Sequence, residues 1–385
     1  MNKCINDYEG IEIGPIRPPS EAESLLIRVT RNCPWNKCKF CGLYKGKKFS
    51  IRKKEHVIED IDLIKKCIEI LWYVQEFESR ERQAKLQDIL GSISDNERDA
   101  FYCAIRWFNS GMKSVFLQDA NSMIIKPDDM LDILKHIRIN FPQVERITSY
   151  ARSDAIARIS DEDLKRIADA GLNRIHIGME SASDKVLQLI GKGVDKQTHI
   201  MAGKKVKKAG IELSEYVMPG VGGNEYSKEN ALETADALNQ INPDFVRIRT
   251  FILLDTVPLA DDYQTGICTR ANDTAVIEEL KLMIASLKGI TSTIVSDHIL
   301  NLIPEVEGIL PRDQEKMLSV LNWYLDLDEA EKMIFRIGRR TGIMNCMIDL
   351  ADSNSREKVE SIIGQNKISI NDVDEVIYEI MKGFV

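Results

Sequence analysis

Three thiols close together are the strongest chemical signal in this 385-residue chain: Cys33, Cys38 and Cys41 fall within nine residues, spaced C-x4-C-x2-C. They follow the apolar run Leu25-Leu26-Ile27-Arg28-Val29, which reads as a buried strand. A loop that short can turn three thiolates toward one point. Thiolates are soft ligands, and three of them favour an iron–sulfur cluster or zinc over hard cations. Three is also one short of the four ligands of a closed structural site, which leaves a metal position open to a substrate or cofactor. The plainer alternatives are a structural zinc site with a distant fourth ligand, or simply three buried thiols. Cys4, Cys67, Cys103, Cys268 and Cys346 are scattered singly, with no second C-x-x-C pair, so one cluster is expected and these five read as core or surface thiols.

A strand ending in three clustered cysteines, with an aromatic, Phe40, before the last, resembles the radical S-adenosylmethionine (SAM) superfamily. The resemblance implies that Cys33, Cys38 and Cys41 hold a [4Fe–4S] cluster whose fourth iron is chelated by the amino and carboxylate groups of SAM. It further implies that an electron from the cluster cleaves SAM to methionine and a 5′-deoxyadenosyl radical, which abstracts hydrogen from a substrate. The commonest spacing in that superfamily is C-x3-C-x2-C, so the first loop here carries one extra residue. The implied partners are an unidentified substrate (a small molecule, or less often RNA or protein) and a low-potential electron donor such as flavodoxin or ferredoxin. Activity should need anaerobic conditions. A rival reading from another class is a noncatalytic iron–sulfur or zinc protein for carriage or sensing, which would bind metal without cleaving SAM.

The loop must be held by a frame, and the rest of the chain supplies one. Residues 1–24 form an irregular lead-in, broken by Gly14-Pro15 and Arg17-Pro18-Pro19. A first strand at about 25–30 delivers the cysteines. After them comes the basic stretch Lys45-Gly46-Lys47-Lys48-Phe49-Ser50-Ile51-Arg52-Lys53-Lys54, either a solvated surface loop or a face for an anionic substrate or acidic electron donor. Residues 54–110 read as helices near 54–78 and 95–109 with a connector at Gly91-Ser92, more helix than one crossover needs. They form an inserted cap beside the site or a packing elaboration.

From residue 114 strands and helices alternate. Strands are expected at 114–118, about 145–149, about 173–178, 211–217 and 244–249; helices start at Pro127 and after a Ser160 cap, and run near 182–190, 196–209 and 227–240. Such alternation means parallel strands with right-handed helical crossovers. The six units fit the α/β class, as a partial (β/α)6 TIM-like barrel of the resembled superfamily with a helical insertion and a mainly helical C-terminal region. The expected organisation is a lead-in 1–24, a partial barrel 25–265 containing the 54–110 insertion, and a region 266–385. The last should hold helices near 272–289, 312–325, 328–341, 355–363 and 371–382 and a short strand at 291–296.

Active sites of such barrels lie at the C-terminal ends of the strands, and polar or glycine-rich clusters follow each expected strand. Gln118-Asp119-Ala120-Asn121 stands where the superfamily commonly has Gly-Gly-Glu, so the resemblance makes Asp119 the acceptor for the SAM amino group and Ala120 a point of close backbone approach; a loop Asp capping a turn is the alternative. Ser149-Tyr150-Ala151-Arg152-Ser153-Asp154 resembles a Thr-Arg-Pro-Asp segment. Its Arg152 either pairs with the methionine carboxylate or forms a structural ion pair with Asp154 or Glu180. Gly178-Met179-Glu180-Ser181-Ala182-Ser183 is similar to a Gly-Leu-Glu-Ser segment, with Glu180 and Ser181 as polar contacts to the ribose or amino end unless Ser181 or Ser183 only caps the next helix. In Tyr216-Val217-Met218-Pro219-Gly220-Val221-Gly222-Gly223 the resemblance places adenine against Val217, Met218 and Gly220, with Phe40 nearby; glycine allows the close approach. The ending Asp255-Thr256-Val257-Pro258-Leu259 resembles the Gly-Thr-Pro-Leu segment of the Elongator- and oxygen-independent coproporphyrinogen-oxidase-like branch. His298, after the short strand, is a candidate to exchange a proton with substrate, or a structural histidine.

Composition sets the outer limits. With 44% hydrophobic and 29% charged residues the chain reads as a soluble globular enzyme, and its net charge of −8 argues against broad nonspecific nucleic-acid binding. No run is long enough to span a bilayer, and the N-terminus has no apolar signal-peptide core. Eight cysteines without such a signal point to a reducing cytoplasm.

Overall fold

The computed structural model describes residues 8–384, so the expectation for Cys4 lies outside the described residues. Ten strands are assigned among them: β1 (Leu25–Arg28), β2 (Thr30–Arg31), β3 (Ser50–Ile51), β4 (Ser114–Gln118), β5 (Arg146–Ala151), β6 (Arg174–Glu180), β7 (Glu212–Val217), β8 (Phe245–Ile248), β9 (Thr293–Val295) and β10 (Gly308–Ile309). Eight of these form one sheet in the order β1-β4-β5-β6-β7-β8-β9-β10, while β2 and β3 pair separately. Within the large sheet the pairs β1–β4, β4–β5, β7–β8 and β8–β9 are parallel and the edge pair β9–β10 is antiparallel; the separate β2–β3 pair is antiparallel too. Sequential parallel strands with helices between them are the α/β architecture expected of the partial (β/α)6 barrel, and the C-terminal region is mainly helical as expected.

The chain divides into two compact units. One gathers the described residues up to Pro34, Leu43–His176 and Lys208–Glu212. Its strand β4 is buried at every position, with the apolar run Val115-Phe116-Leu117 at its centre, as a strand covered on both faces requires. Helix Lys54–Gln75 buries Val57, Ile61, Ile64, Ile68 and Leu71 at helical spacing, packing on helices Asp95–Asn109 and Pro127–Asn140. A capping box between Ser94 and Glu97 starts helix Asp95–Asn109. The first insertion helix ends at Gln75 rather than near 78, and the expected connector is itself a helix, Ser79–Ser92, which buries no residue; Gly91-Ser92 close it. Periodicity missed this helix because its residues have no core face to keep. Because Lys54–Gln75 and Asp95–Asn109 both lie against β1, they do the packing work of a crossover layer.

The lead-in is irregular but fastened. Gly14 exchanges hydrogen bonds with the Gln118 side chain, at 2.8 and 3.2 Å, and Glu12 takes Arg31 and Arg52. Glu21 is fully buried against Ser24, Arg146 and His176. Burial would raise its pKa, but the bonds from His176 and Ser24 and the Arg146 charge outweigh it and hold the carboxyl down at about 2.

The second unit holds Trp35–Gly42, Ile177–Lys207 and the chain from Leu213 onward. Helix Gly223–Ile241 packs on helix Asp273–Ser286, and the latter on helix Gln314–Asp326. Helices Glu329–Arg340, Ser353–Asn366 and Val373–Lys382 follow, within a few residues of their expected places. The buried carboxylate of Asp273 ties helix Asp273–Ser286 to helix Glu329–Arg340 by receiving Arg336 and Arg340, and Arg336 also meets Asp374 of helix Val373–Lys382. Strand β9 forms within the expected 291–296 and extends the sheet beside β8. No helix of the described residues is long and apolar enough to cross a membrane.

Candidate functional site

The chain enters the cysteine loop from β2 and returns through β3, with Thr30 opposite Ile51 and Arg31 opposite Ser50. Cys33 belongs to the first unit, Cys38 and Cys41 to the second, and each unit fixes its own part of the loop.

In the first unit the anchor is a buried acid. Asp119, at the end of β4 and fully buried, takes Arg28 at 2.9 Å and the backbone N–H of Asn32, next to Cys33, at 3.2 Å. The Tyr44 hydroxyl donates to its other oxygen. Asn32 holds the left-handed φ of 67° and donates its side-chain amide to Lys48 O at 2.6 Å, across the loop. The carboxylate that the sequence offered to a ligand's ammonium is thus engaged in holding the loop. Ala120 follows it, half-buried. Arg152 makes the ion pair with Asp154 that the sequence allowed, its Nε donating at 2.9 Å, and its backbone N–H donates to Asn121 Oδ1 at 3.1 Å.

In the second unit the loop is seated on the segment Ile190-Gly191-Lys192-Gly193. Trp35 Nε1 donates to Gly191 O at 2.8 Å, and Lys39 N–H to Ile190 O at 2.7 Å. On the other side Leu259 N–H donates to Lys39 O at 3.0 Å, and Lys39 Nζ meets Asp262 at 2.8 Å. Gly193 has φ 75°, and a Cβ there would run into the Trp35 ring. Gly193→Ala is therefore expected to lift Trp35 from its seat, with at least a two-fold drop in iron bound per chain after anaerobic reconstitution and a shifted tryptophan emission, the order of effect of about 1–3 kcal/mol of backbone strain plus a clash. Iron content and emission equal to wild type would contradict this seating.

Phe40 packs, partly buried, with Met218 in one apolar cluster that also holds Val186, Ile190, Leu253 and Val257. Its ring lies 6.0 Å from Lys192 Nζ, and Lys192 pairs with Glu180 at 3.1 Å. Gly178 makes room for that pair, since a Cβ would meet Glu180 Oε1 and lie 3.3 Å from Lys192 Nζ. The Glu180 carbonyl receives the Met218 N–H at 2.8 Å, which joins the ends of β6 and β7. Structure thus brings Phe40, Glu180, Val217 and Met218 into one neighbourhood. Ser181 is buried, and its hydroxyl accepts the Ser183 N–H at 3.0 Å, while Ser183 caps helix Asp184–Leu189. Gly220 takes φ 85°, and its N–H donates to Glu279 at 3.1 Å.

His298 lies in the turn after β9, where its Nδ1 accepts the Leu300 N–H at 3.2 Å. Burial and the Arg249 charge push its pKa down to about 4, so the imidazole is neutral at neutral pH.

The donor set fits an iron–sulfur cluster: three soft thiols, none in a disulfide, in one short anchored loop. Among the described residues no three His, Cys, Asp or Glu side chains stand close enough together to hold a metal ion, so the fit rests on ligand type and loop length. Sequence reasoning missed Lys192 and the whole seat at 190–193. The available signal was a lysine between two glycines, twelve positions after Glu180.

The family model described as the Radical SAM superfamily matches residues 27–238, more than half of the chain. An uncharacterized methyltransferase of Pyrococcus horikoshii is 22% identical over 225 residues, 58% of this chain and 38% of its own length. A tRNA uridine(34) acetyltransferase of Methanocaldococcus infernus is 22% identical over 108 residues, 28% of this chain and 20% of its own. The chain thus spans well under half the length of these curated relatives. Among solved structures, coproporphyrinogen III oxidase of Escherichia coli superposes with a TM-score of 0.44 at 14% identity, covering 68% of this chain and 51% of that one.

Proposed function

The chain belongs to the radical SAM superfamily, and from that premise we propose that Cys33, Cys38 and Cys41 hold one [4Fe–4S] cluster for hydrogen abstraction from a substrate. It is an enzyme, and its cofactors are a [4Fe–4S] cluster and SAM. When bound, the cluster supplies the electron that splits SAM into methionine and a 5′-deoxyadenosyl radical. The observation that carries the reading is the three-thiol loop inside the matched segment, anchored at both ends by bonds that serve no other evident purpose.

Around it the chain's own residues divide the work of holding SAM. Glu180 and Lys192 present opposite charges at 3.1 Å, matched to the zwitterionic amino-acid end of SAM: the ammonium of Lys192 suits its carboxylate, and Glu180 its amino group. Asp119 and Ala120 act through the loop, Arg152 through Asn121 and Asp154, and Ser181 through the turn into helix Asp184–Leu189. Val217, Met218 and Gly220, with Phe40, form the apolar seat for adenine. His298 is left with Nε2 as the atom to exchange a proton with substrate. Electrons come from a low-potential carrier of the flavodoxin or ferredoxin kind, in the cytoplasm and without oxygen. One relative is named as a tRNA acetyltransferase and another as an uncharacterized methyltransferase, which makes RNA and small molecules the first substrates to try.

The test is anaerobic reconstitution followed by SAM and a strong reductant, with 5′-deoxyadenosine read by mass spectrometry. Wild type is expected to form it, and the variant with Cys33, Cys38 and Cys41 all changed to Ala to form none. A loaded cluster that does not bind SAM would overturn the proposal in favour of a carrier or sensor.

A further inference from the structure

Glu215, in the second half of β7, is fully buried, and neither of its carboxyl oxygens meets a hydrogen-bond partner. Every other buried acid of the described residues has at least one oxygen engaged: Glu21, Asp60, Asp119 and Asp273 meet cationic or hydroxyl donors, and Glu279 Oε1 meets Gly220 and Asn230 while its Oε2 does not. An orphaned carboxyl is costly to bury, and its persistence points to a partner that arrives from outside. Burial drives its pKa well above the usual carboxylate range; Lys192 opposes that rise and the Glu180 charge adds to it. Lys192 is already paired to Glu180, so the Glu215 carboxyl rests as a neutral acid.

A neutral carboxyl offers one donor and one acceptor side by side. That pattern complements the edge of a heteroaromatic ring carrying an amino group next to a ring nitrogen, as on adenine, and such paired bonds read an adenine edge in other settings. Strand β7 runs from Glu215 directly into Val217-Met218-Pro219-Gly220, the segment proposed above to seat adenine. We propose that Glu215 recognises the adenine of SAM, its O–H donating to a ring nitrogen and its carbonyl oxygen accepting from the exocyclic amino group. This rests on the reading of the site as a SAM site. The zwitterionic end of SAM is served by the opposite charges of Glu180 and Lys192, which leaves the base for Glu215.

The experiment is calorimetric titration of SAM into anaerobically reconstituted protein, in two buffers of different ionisation enthalpy, for wild type, Glu215→Gln and Glu215→Leu. Glutamine keeps one donor and one acceptor and should bind within about threefold of wild type; leucine should weaken binding by about tenfold, the scale of one to two lost hydrogen bonds. Chelation of iron by the SAM amino group would itself release a proton, so wild type should release the same number of protons as Glu215→Gln. Thermal melting without SAM checks that the leucine variant folds, and removal of an orphaned carboxyl should leave it at least as stable as wild type. Leucine binding as tightly as wild type would overturn the assignment. So would loss of binding in the glutamine variant, because an amide keeps the donor and acceptor of a neutral carboxyl and lacks only the charge of a carboxylate. If wild type itself binds no SAM, the proposed function falls and this assignment with it; if wild type binds and leucine matches it, only the assignment falls.

Discussion

Asp119→Ala is expected to destabilise the fold by about 3–5 kcal/mol and to remove most of the iron that the reconstituted protein binds, because it leaves a buried cation and two donors without their acceptor. Asp119 is fully buried and Arg28 nearly so. Arg28 would be left with Glu12, at 3.6 Å, as its carboxylate neighbour. The same loss frees the Asn32 N–H and the Tyr44 hydroxyl, one on each side of the cysteines. Asp119→Asn should fall between, since an amide offers one acceptor where the site uses two and turns a donor toward Arg28 or Tyr44. Urea unfolding gives the stability and iron analysis the loading. The competing role, direct receipt of the SAM amino group, makes a different forecast: near-normal stability and iron, with SAM affinity alone reduced. That result would sink the anchor account.

Asp119 also shows where sequence stops being informative. Its position after a strand, in a polar cluster, was legible, because strands and turns are local patterns. Its partners were not, since Arg28, Asn32 and Tyr44 lie some 75 to 91 positions away in the chain and meet it only through the β1–β4 pairing and the return of the loop. Arg152 teaches the same lesson at short range: both the structural and the ligand readings fit the sequence, and the fold shows its Nε on Asp154, two residues on. The strand–helix alternation was recovered almost completely because each element has a periodic apolar face to bury. Helices Ser153–Arg158 and Leu259–Gln264 were not expected, being six residues each and too short to show a period, and other exceptions lack an apolar face. Helix Ser79–Ser92 buries nothing, and β2, β3 and β10 have two residues each, too short for any period. Glu215 stayed invisible for the opposite reason. In Leu213-Ser214-Glu215-Tyr216-Val217 it reads as an ordinary polar position of a half-buried strand, and only the packed structure shows it sealed without a partner.

Glu279→Gln is expected to abolish a slope in stability between pH 4.5 and 7 worth roughly 3 kcal/mol. Burial raises the Glu279 carboxyl from 4.5 to about 7, against the opposing bonds from Gly220 N–H, the Asn230 amide and the Ser227 side chain. No cation is among the groups acting on it, and the titratable group that senses its charge, the Tyr263 phenol, is itself pushed far upward by burial. The sign follows from the protons bound. Below pH 4.5 both folded and unfolded chains hold the proton; between 4.5 and 7 only the folded chain keeps it. Stability contributed by this group is therefore complete in acid, is lost as pH rises toward 7, and changes no further above it. Glutamine keeps an acceptor for Gly220 and carries no proton to lose, so the stability of Glu279→Gln relative to wild type should improve across that window. Urea unfolding of both proteins at pH 5 and pH 8 reads the difference, and parallel pH curves would show that the carboxyl titrates in its ordinary range. The consequence reaches the site through Gly220, whose left-handed backbone is confined by Val276, 2.9 Å from where a Cβ would stand, and is tied to the helix by this one side-chain bond. Ionisation near neutrality makes Glu279 a stronger acceptor as pH rises, so the carboxylate tightens its hold on the proposed adenine segment while weakening the fold that carries it.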